Sequence, residues 1–243
     1  MTQSFVAIIL AAGKGTRMKS AQPKVLHEIA GRPMLGHVMA TAAEAGAKEV
    51  LLVTAPDQDG VRAYADEQGI TTTHAIQQEQ LGTGDAVSTA FDAAGKHDRF
   101  VVMFGDTPLM RAEILRDLSE NKADVVVLGF EPEDAAAYGR VVMQGDTPTE
   151  VVEFKDADEA IRKITLCNGG AMGLSRAALE KYLPQLTNDN AQGEYYLPDF
   201  VALEEELVRI ENGNEVWLVA NIDLDDHFNL SYLPISIISL ADP

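Results

Sequence analysis

The residues best equipped for chemistry lie near the amino terminus, where Leu10-Ala11-Ala12-Gly13-Lys14-Gly15-Thr16-Arg17-Met18 follows a short apolar run. Small residues after a buried strand let backbone N–H groups come close to a ligand, and Gly13 and Gly15 permit the positive φ angles of an anion-binding nest. Phosphate suits such a nest. The segment is not a P-loop, because Gly-x-x-x-x-Gly-Lys-[Ser/Thr] is not met, and Gly13-x-Gly15-x-x-Met18 lacks the third glycine of the dinucleotide fingerprint. Residues 1–27 carry Lys14, Arg17, Lys19 and Lys24 and no acidic residue, although the whole chain has a formal net charge of −19. Four cations alone fit a solvated face. Beside the glycines, Arg17 and Lys24 also fit the neutralisation that two phosphates need before one attacks the other. Asp106 adds a carboxylate just past the apolar run 100–104, at a strand's carboxyl end, where ligands of open α/β sheets bind. As a hard oxygen donor it suits Mg²⁺. Its alternative role is to cap the turn made with Thr107-Pro108.

These residues need a scaffold, and its pattern is visible. Apolar runs at 5–10, 49–53, 100–104 and 124–129 read as buried strands. Amphipathic stretches at 34–45, 57–68, 84–94 and 112–121 read as helices between them, the first opened by Pro33. Such alternation predicts an α/β fold with a parallel sheet and crossover helices. Beyond residue 132 the pattern predicts a hairpin from 139–143 and 151–154, a strand at 166–174, an acidic helix at 197–212 and a strand at 215–219. Residues 234–243 are apolar without a clear period. The 243 residues suffice for one main domain with a smaller lobe.

Composition narrows the function. The strong negative charge argues against nucleic acid or an anionic membrane as a partner, since both require a basic face. The apolar run 5–12 is too short to span a bilayer and lacks the basic flank of a signal peptide. A single cysteine, Cys167, provides neither a disulfide framework nor a cysteine-based zinc site, which favours a cytoplasmic setting. His27, His37, His74, His97 and His227 show no metal-ligand spacing.

The loop at 10–18, followed by Pro23-Lys24, resembles the signature of the sugar-nucleotide pyrophosphorylases. Further matches follow in order: Gln77-x-x-Gln80-Leu81-Gly82-Thr83-Gly84, Phe104-Gly105-Asp106-Thr107-Pro108-Leu109, Tyr138-Gly139-Arg140, Val151-Val152-Glu153-Phe154-Lys155-Asp156-Ala157 and Asn190-Ala191-Gln192-Gly193-Glu194-Tyr195-Tyr196. Their order and spacing are similar to those of the bacterial N-acetylglucosamine-1-phosphate uridylyltransferase domain. The resemblance implies a Rossmann-like nucleotidyltransferase fold, with a mixed, mostly parallel sheet flanked by helices and a small β-rich sugar-binding lobe.

It also implies transfer of UMP from UTP to N-acetylglucosamine 1-phosphate, with Mg²⁺ as cofactor and pyrophosphate as the second product. Another sugar 1-phosphate, or a silent sugar-nucleotide-binding subunit, are the alternatives. By the same resemblance Leu10, Ala11, Ala12, Gly13 and Gly15 hold the nucleotide, Gln77, Gly82 and Thr83 meet the base, and Gly139, Glu153 and Asn168 line the sugar side. Arg17, Lys24 and Asp106 are the catalytic set. Tyr195 and Tyr196 could close the sugar pocket, but neighbouring residues point in different directions, so at least one belongs to the core.

The chain also departs from that family. Where the family has an asparagine metal ligand, this sequence has Leu224-Asp225-Asp226-His227, which makes Asp225 the expected second Mg²⁺ ligand and Asp226 the neighbour one residue away. Gly169 stands where the family commonly has threonine. No hexapeptide repeat of an acetyltransferase β-helix is present. The expected organisation is a nucleotidyltransferase domain over 1–230 with a tail at 231–243, acting as a monomer on small-molecule substrates.

Overall fold

The computed structural model describes residues 4–15, 18–145 and 147–203, together with the backbone of a strand at Trp217–Val219. The first strand, β1 (Phe5–Leu10), is apolar throughout because both of its faces are covered: Val6 and Ile8 join one hydrophobic cluster, Phe5, Ala7 and Ile9 the other. A short hairpin follows, formed by β2 (Glu28–Ile29) and β3 (Arg32–Pro33) and turned by Ala30 and Gly31 at positive φ. Helix α1 (Met34–Ala45) starts after Pro33, as expected. It ends at Gly46, whose φ of 98° lets its N–H return to the Ala42 carbonyl.

Then come β4 (Ala47–Thr54), α2 (Asp59–Asp66), β5 (Thr72–Ile76), α3 (Thr83–Asp92), β6 (Arg99–Phe104), α4 (Ala112–Glu120) and β7 (Val125–Phe130). The expected strands and helices of this half all form, with ends shifted by a few residues. Strand β5 is an addition. It lies at the sheet edge, half-exposed and rich in threonine, so no apolar run marks it.

The hairpin of β8 (Arg140–Gln144) and β9 (Thr147–Val152) places its second strand earlier than the expected 151–154. Gly145, at φ 62°, turns the chain tightly, and beyond Val152 the backbone curls so that Asp156 and Ala157 both donate to the Glu153 carbonyl. Strand β10 (Cys167–Ser175) continues into α5 (Arg176–Tyr182), a helix that the sequence pattern did not reveal; the Ser175 hydroxyl caps it by accepting from the Ala178 N–H. Of the expected helix at 197–212, a 3-10 turn at Leu197–Asp199 and helical residues 200–203 are described; the rest lies outside the described residues. Trp217–Val219 is β11.

The main sheet runs β11-β7-β10-β6-β1-β4-β5. β5, β4, β1 and β6 are mutually parallel, and β10 is inserted antiparallel between β6 and β7. The β8–β9 hairpin hangs from β10 through the pair Cys167↔Arg140, so it is an extension of the main sheet. Helices α3 and α5 cover one face; α1, α2 and α4 cover the other. The sheet is thus the expected mixed, mostly parallel one flanked by helices. No helix among the described residues is long and apolar enough to cross a membrane.

The crossovers through α1 and α2 extend the sheet to one side of β1, and α3 brings β6 to its other side. Order reverses at β1, and the crevice at its carboxyl end is where such sheets bind ligands.

Candidate active site

Three strand ends meet at that crevice, because Leu10 is in register with both Val53 and Phe104. Gly105 donates to the Leu10 carbonyl at 2.9 Å, and Ala11 donates to the Val53 carbonyl at 2.9 Å. The glycine loop and the Asp106 turn therefore leave the sheet side by side. The two loop glycines serve different purposes. A Cβ on Gly13 would meet nothing within 4 Å, so that glycine faces open space. A Cβ on Gly15 (φ 54°) would lie 2.8 Å from Lys24 Cβ, so its bareness lets the loop close on the lysine segment.

Lys24 opens a short 3-10 turn, and its Nζ lies 2.5 Å from Asp106 Oδ2, with both side chains about one-third exposed. This ion pair joins two residues that the sequence proposed separately. The turn after β6 is held by Thr107, whose hydroxyl and N–H both donate to the Phe104 carbonyl. Asp106 is thereby left to Lys24, and the capping alternative is not what forms.

The second cluster sits at the end of β5. Gln77 is 4% exposed; its backbone N–H donates to Thr54, and its side-chain amide donates to the Gly82 carbonyl at 3.2 Å and to Asp85 Oδ2 at 2.6 Å. Gly82 has φ 113°, and a Cβ there would run into the Tyr195 backbone. Thr83 accepts the Leu197 N–H through its hydroxyl at 2.9 Å. The Gln80 side chain spans the gap to the glycine loop by donating to the Ala12 carbonyl at 2.5 Å.

The third cluster comes from the hairpin region. Asn168 donates its backbone N–H to the Gly139 carbonyl at 2.9 Å, and a Cβ on Gly139 would sit 3.2 Å from Glu153 Oε1. The Asn168 side-chain oxygen accepts the Gly170 N–H at 3.0 Å, and Gly170, at φ 80°, turns over the Phe104 ring. The antiparallel register Met172↔Val102 thus carries this cluster toward the end of β6, beside the Asp106 turn.

Segment 190–196 ties the clusters together. Tyr195 exchanges backbone hydrogen bonds with Leu81 and Gly84, while Asp156 accepts the Ala191 N–H at 2.8 Å and Lys155 donates to Gln192 at 2.6 Å. Tyr196 is the core member of the tyrosine pair. It is buried, accepts from Gln192 and donates to Asp156.

Burial, reinforced by Asp156 and Glu194, raises the Glu153 carboxyl above its ordinary range. Burial pushes Asp199 up to about 6, aided by Glu150, Glu153 and Asp156. The hairpin region is therefore strongly acidic.

The structure brings Leu10, Ala11, Ala12, Gly13, Gly15, Lys24 and Asp106 together, sets Gln77, Gly82 and Thr83 beside them through Gln80, and joins Gly139, Glu153 and Asn168 through Gly170. Arg17, Asp225 and Asp226 lie outside the described residues. Sequence reasoning left Gln80, Asp85, Phe104 and Gly170 out of the site. For Asp85 the only local signal is an acid in a helix's first turn, which any helix favours.

As a metal donor, Asp106 stands in a sparse set: among the described residues no three His, Cys, Asp or Glu side chains converge. Mg²⁺ is commonly held by one or two carboxylates, with water and substrate phosphate completing its shell. The donor set fits that kind of ion.

The open α/β sheet, with the glycine loop, Lys24 and Asp106 at its switch point, has a nucleotidyltransferase fold, as its likeness to solved structures shows. A structure of UDP-glucose pyrophosphorylase complexed with UDP-glucose aligns with a TM-score of 0.68 at 18% identity, covering 85% of this chain and 88% of that one. A Bacillus anthracis protein described as a glucose-1-phosphate thymidylyltransferase, in complex with sucrose, aligns with a TM-score of 0.70 at 21% identity, covering 88% and 85%. At these identities the likeness is one of fold.

The sequence profile of the MobA-like NTP transferase domain matches residues 7–194, and the chain belongs to that family. Bifunctional protein GlmU of Parvibaculum lavamentivorans is 52% identical over 200 residues, covering 81% of this chain and 44% of that one. Bifunctional protein GlmU of Rhizorhabdus wittichii is 44% identical over 232 residues, covering 90% and 50%. The chain is homologous to the N-terminal half of these proteins and spans about half the length of the curated relatives it matches.

Proposed function

We propose that the chain transfers UMP from UTP to N-acetylglucosamine 1-phosphate, giving UDP-N-acetylglucosamine and pyrophosphate. The observation that carries this reading is the Lys24–Asp106 pair set against the glycine loop at the switch point of the sheet. A phosphate oxygen of the sugar 1-phosphate attacks the α-phosphorus of UTP in line. One P–O bond forms, the bond to the β-phosphate's bridging oxygen breaks, and pyrophosphate leaves with that electron pair.

The nucleophile is already anionic near neutral pH, so no general base is needed. The protein's tasks are positioning and charge neutralisation. Backbone amides of the glycine loop receive the triphosphate, and Lys24 and Arg17 offset its charge. Asp106 and Asp225 would hold Mg²⁺, which when bound supplies further neutralisation of the phosphates. Gln77 and the Gly82-Thr83 turn receive the base; Gly139, Glu153 and Asn168 receive the sugar hydroxyls and acetamido group, which need donors and acceptors together.

Gly169 favours a second reading, transfer to a different sugar 1-phosphate. A Cβ there would come within 2.8 Å of Leu128 Cγ, so Leu128 fills space that a larger residue at 169 would claim. Pyrophosphate release, measured with UTP against several sugar 1-phosphates, separates the two. Fastest release with N-acetylglucosamine 1-phosphate is expected. Faster release with a hexose 1-phosphate lacking the acetamido group would establish the second reading, and none with any pair would remove both.

A further inference from the structure

We infer that Asp85 makes this site selective for a base with an imide N–H, by locking the Gln77 amide so that its oxygen is the atom offered to the base. The inference rests on the reading that a nucleotide base lies at Gln77 and the 82–83 turn, and it adds what decides between uracil and cytosine.

A glutamine amide has two donor hydrogens on nitrogen and an acceptor oxygen, and turning the group over exchanges the two ends. In isolation either end can face a ligand. Here both hydrogens are taken, one by the Gly82 carbonyl at 3.2 Å and one by Asp85 Oδ2 at 2.6 Å. Neither acceptor tolerates the flipped state: a carbonyl and a carboxylate would each meet the amide oxygen, acceptor against acceptor. The short bond to a charged group makes Asp85 the stronger of the two locks.

Asp85 is itself held in place. It lies in the first turn of α3, where a carboxylate is favoured, and that turn is pinned by the Gly84 N–H donating to the Tyr195 carbonyl at 2.8 Å. The Gln77 oxygen accepts no hydrogen bond from the described residues, in a residue that is only 4% exposed, and it is not among the buried atoms sealed from solvent. An acceptor held at the crevice and left unmatched by the protein calls for a donor on the ligand.

Uracil carries such a donor at N3–H, between two carbonyl acceptors. Cytosine has a bare acceptor at N3, which would face the Gln77 oxygen lone pair against lone pair. The oxygen therefore pairs with an imide N–H and repels the cytosine ring nitrogen.

The test is equilibrium binding of nucleotide to the full chain by calorimetry, with Mg²⁺ present and sugar phosphate omitted. UTP is compared with CTP, which has an acceptor at N3, and with N3-methyl-UTP, in which a methyl group replaces the donor hydrogen. The wild type is expected to bind UTP at least about tenfold more tightly than either analogue, the scale of one mismatched hydrogen bond. Asp85→Ala removes the stronger of the two locks, leaving only the longer bond to the Gly82 carbonyl, and should bring the UTP to CTP ratio toward one. Asp85→Asn, which keeps an acceptor, should retain most of that ratio.

Wild-type binding of N3-methyl-UTP or CTP as tight as that of UTP overturns the inference, with no dependence on how any variant folds. So does an Asp85→Ala protein that melts cooperatively and weakens both nucleotides equally, since that is a structural effect without selectivity. If UTP selectivity holds but no sugar phosphate yields pyrophosphate, the transfer reading fails while this one stands.

Discussion

The glycine loop and the hairpin region differ in what they offer a ligand. Around the loop the materials are backbone amides, Gly13 facing open space and the Lys24 cation, with Asp106 as the paired acid. Around the hairpin they are Glu150, Glu153, Asp156, Glu194 and Asp199, where burial, reinforced by the neighbouring carboxylates, raises the proton affinity of Glu153 and Asp199. A region that disfavours its own charges disfavours phosphate still more. A neutral sugar ring with many hydroxyls suits it, because carboxylates accept from hydroxyls. On the proposed function the contrast would direct phosphates to one end and the sugar to the other, so that orientation of the acceptor substrate would follow from charge before any single contact is made.

The contrast can be broken most severely at Asp106. Asp106→Asn is expected to lower turnover by about a hundredfold or more, the scale of losing one preorganised electrostatic group, with the melting transition preserved. Initial rates of pyrophosphate release across a Mg²⁺ titration check this; a wild-type curve would remove Asp106 from the phosphate end.

Lys24→Ala should reduce kcat/KM by at least about tenfold, from about 1.5 to 3 kcal/mol for a charge-assisted hydrogen bond. Lys24→Arg, which keeps the charge, should recover part of the loss. Steady-state kinetics on both variants would show whether charge or the lysine's particular reach matters.

On the hairpin side, Glu153→Gln should raise KM for the sugar phosphate about two- to tenfold, the scale of one hydrogen bond, and leave KM for UTP nearly unchanged. An equal rise in both constants would mean that the two ends do not divide the substrates between them.

The smallest effect concerns stability. Asp199 is raised to about 6 in the folded protein, above the ordinary aspartate value near 3.9. The folded state therefore binds its proton more tightly, and this carboxyl's contribution becomes less favourable as pH rises from about 4 through 6. Asp199→Asn should raise Tm by a few degrees at pH 8 and change it little below pH 4. Melting curves at the two pH values check the sign, and a fall in Tm at pH 8 would show that the acidic cluster is stabilised by something other than protonation.

Much of this architecture follows from local pattern. The runs at 5–10 and 100–104 are apolar at every position, and only a strand covered on both faces needs that. Pro33 and Gly46 bracket α1 because each suits one end of a helix and not its middle. Strand β5 and helix α5 escaped notice for the opposite reason. One is a threonine-rich edge strand and the other a seven-residue helix, too short for a clear period.

What the sequence by itself determined is the class of fold and the chemical character of the loop and of Asp106, since composition, period and position after a strand are properties of neighbouring residues. Tertiary structure alone decided that Lys24 meets Asp106, that β10 runs antiparallel between β6 and β7 and so delivers Asn168 to the end of β6, and that Asp85 orients the Gln77 amide. Each depends on the order of strands in the sheet and on which groups face each other across a turn. Hydrophobic periodicity sets which face of an element is buried, but it carries no label for the partner that buries it.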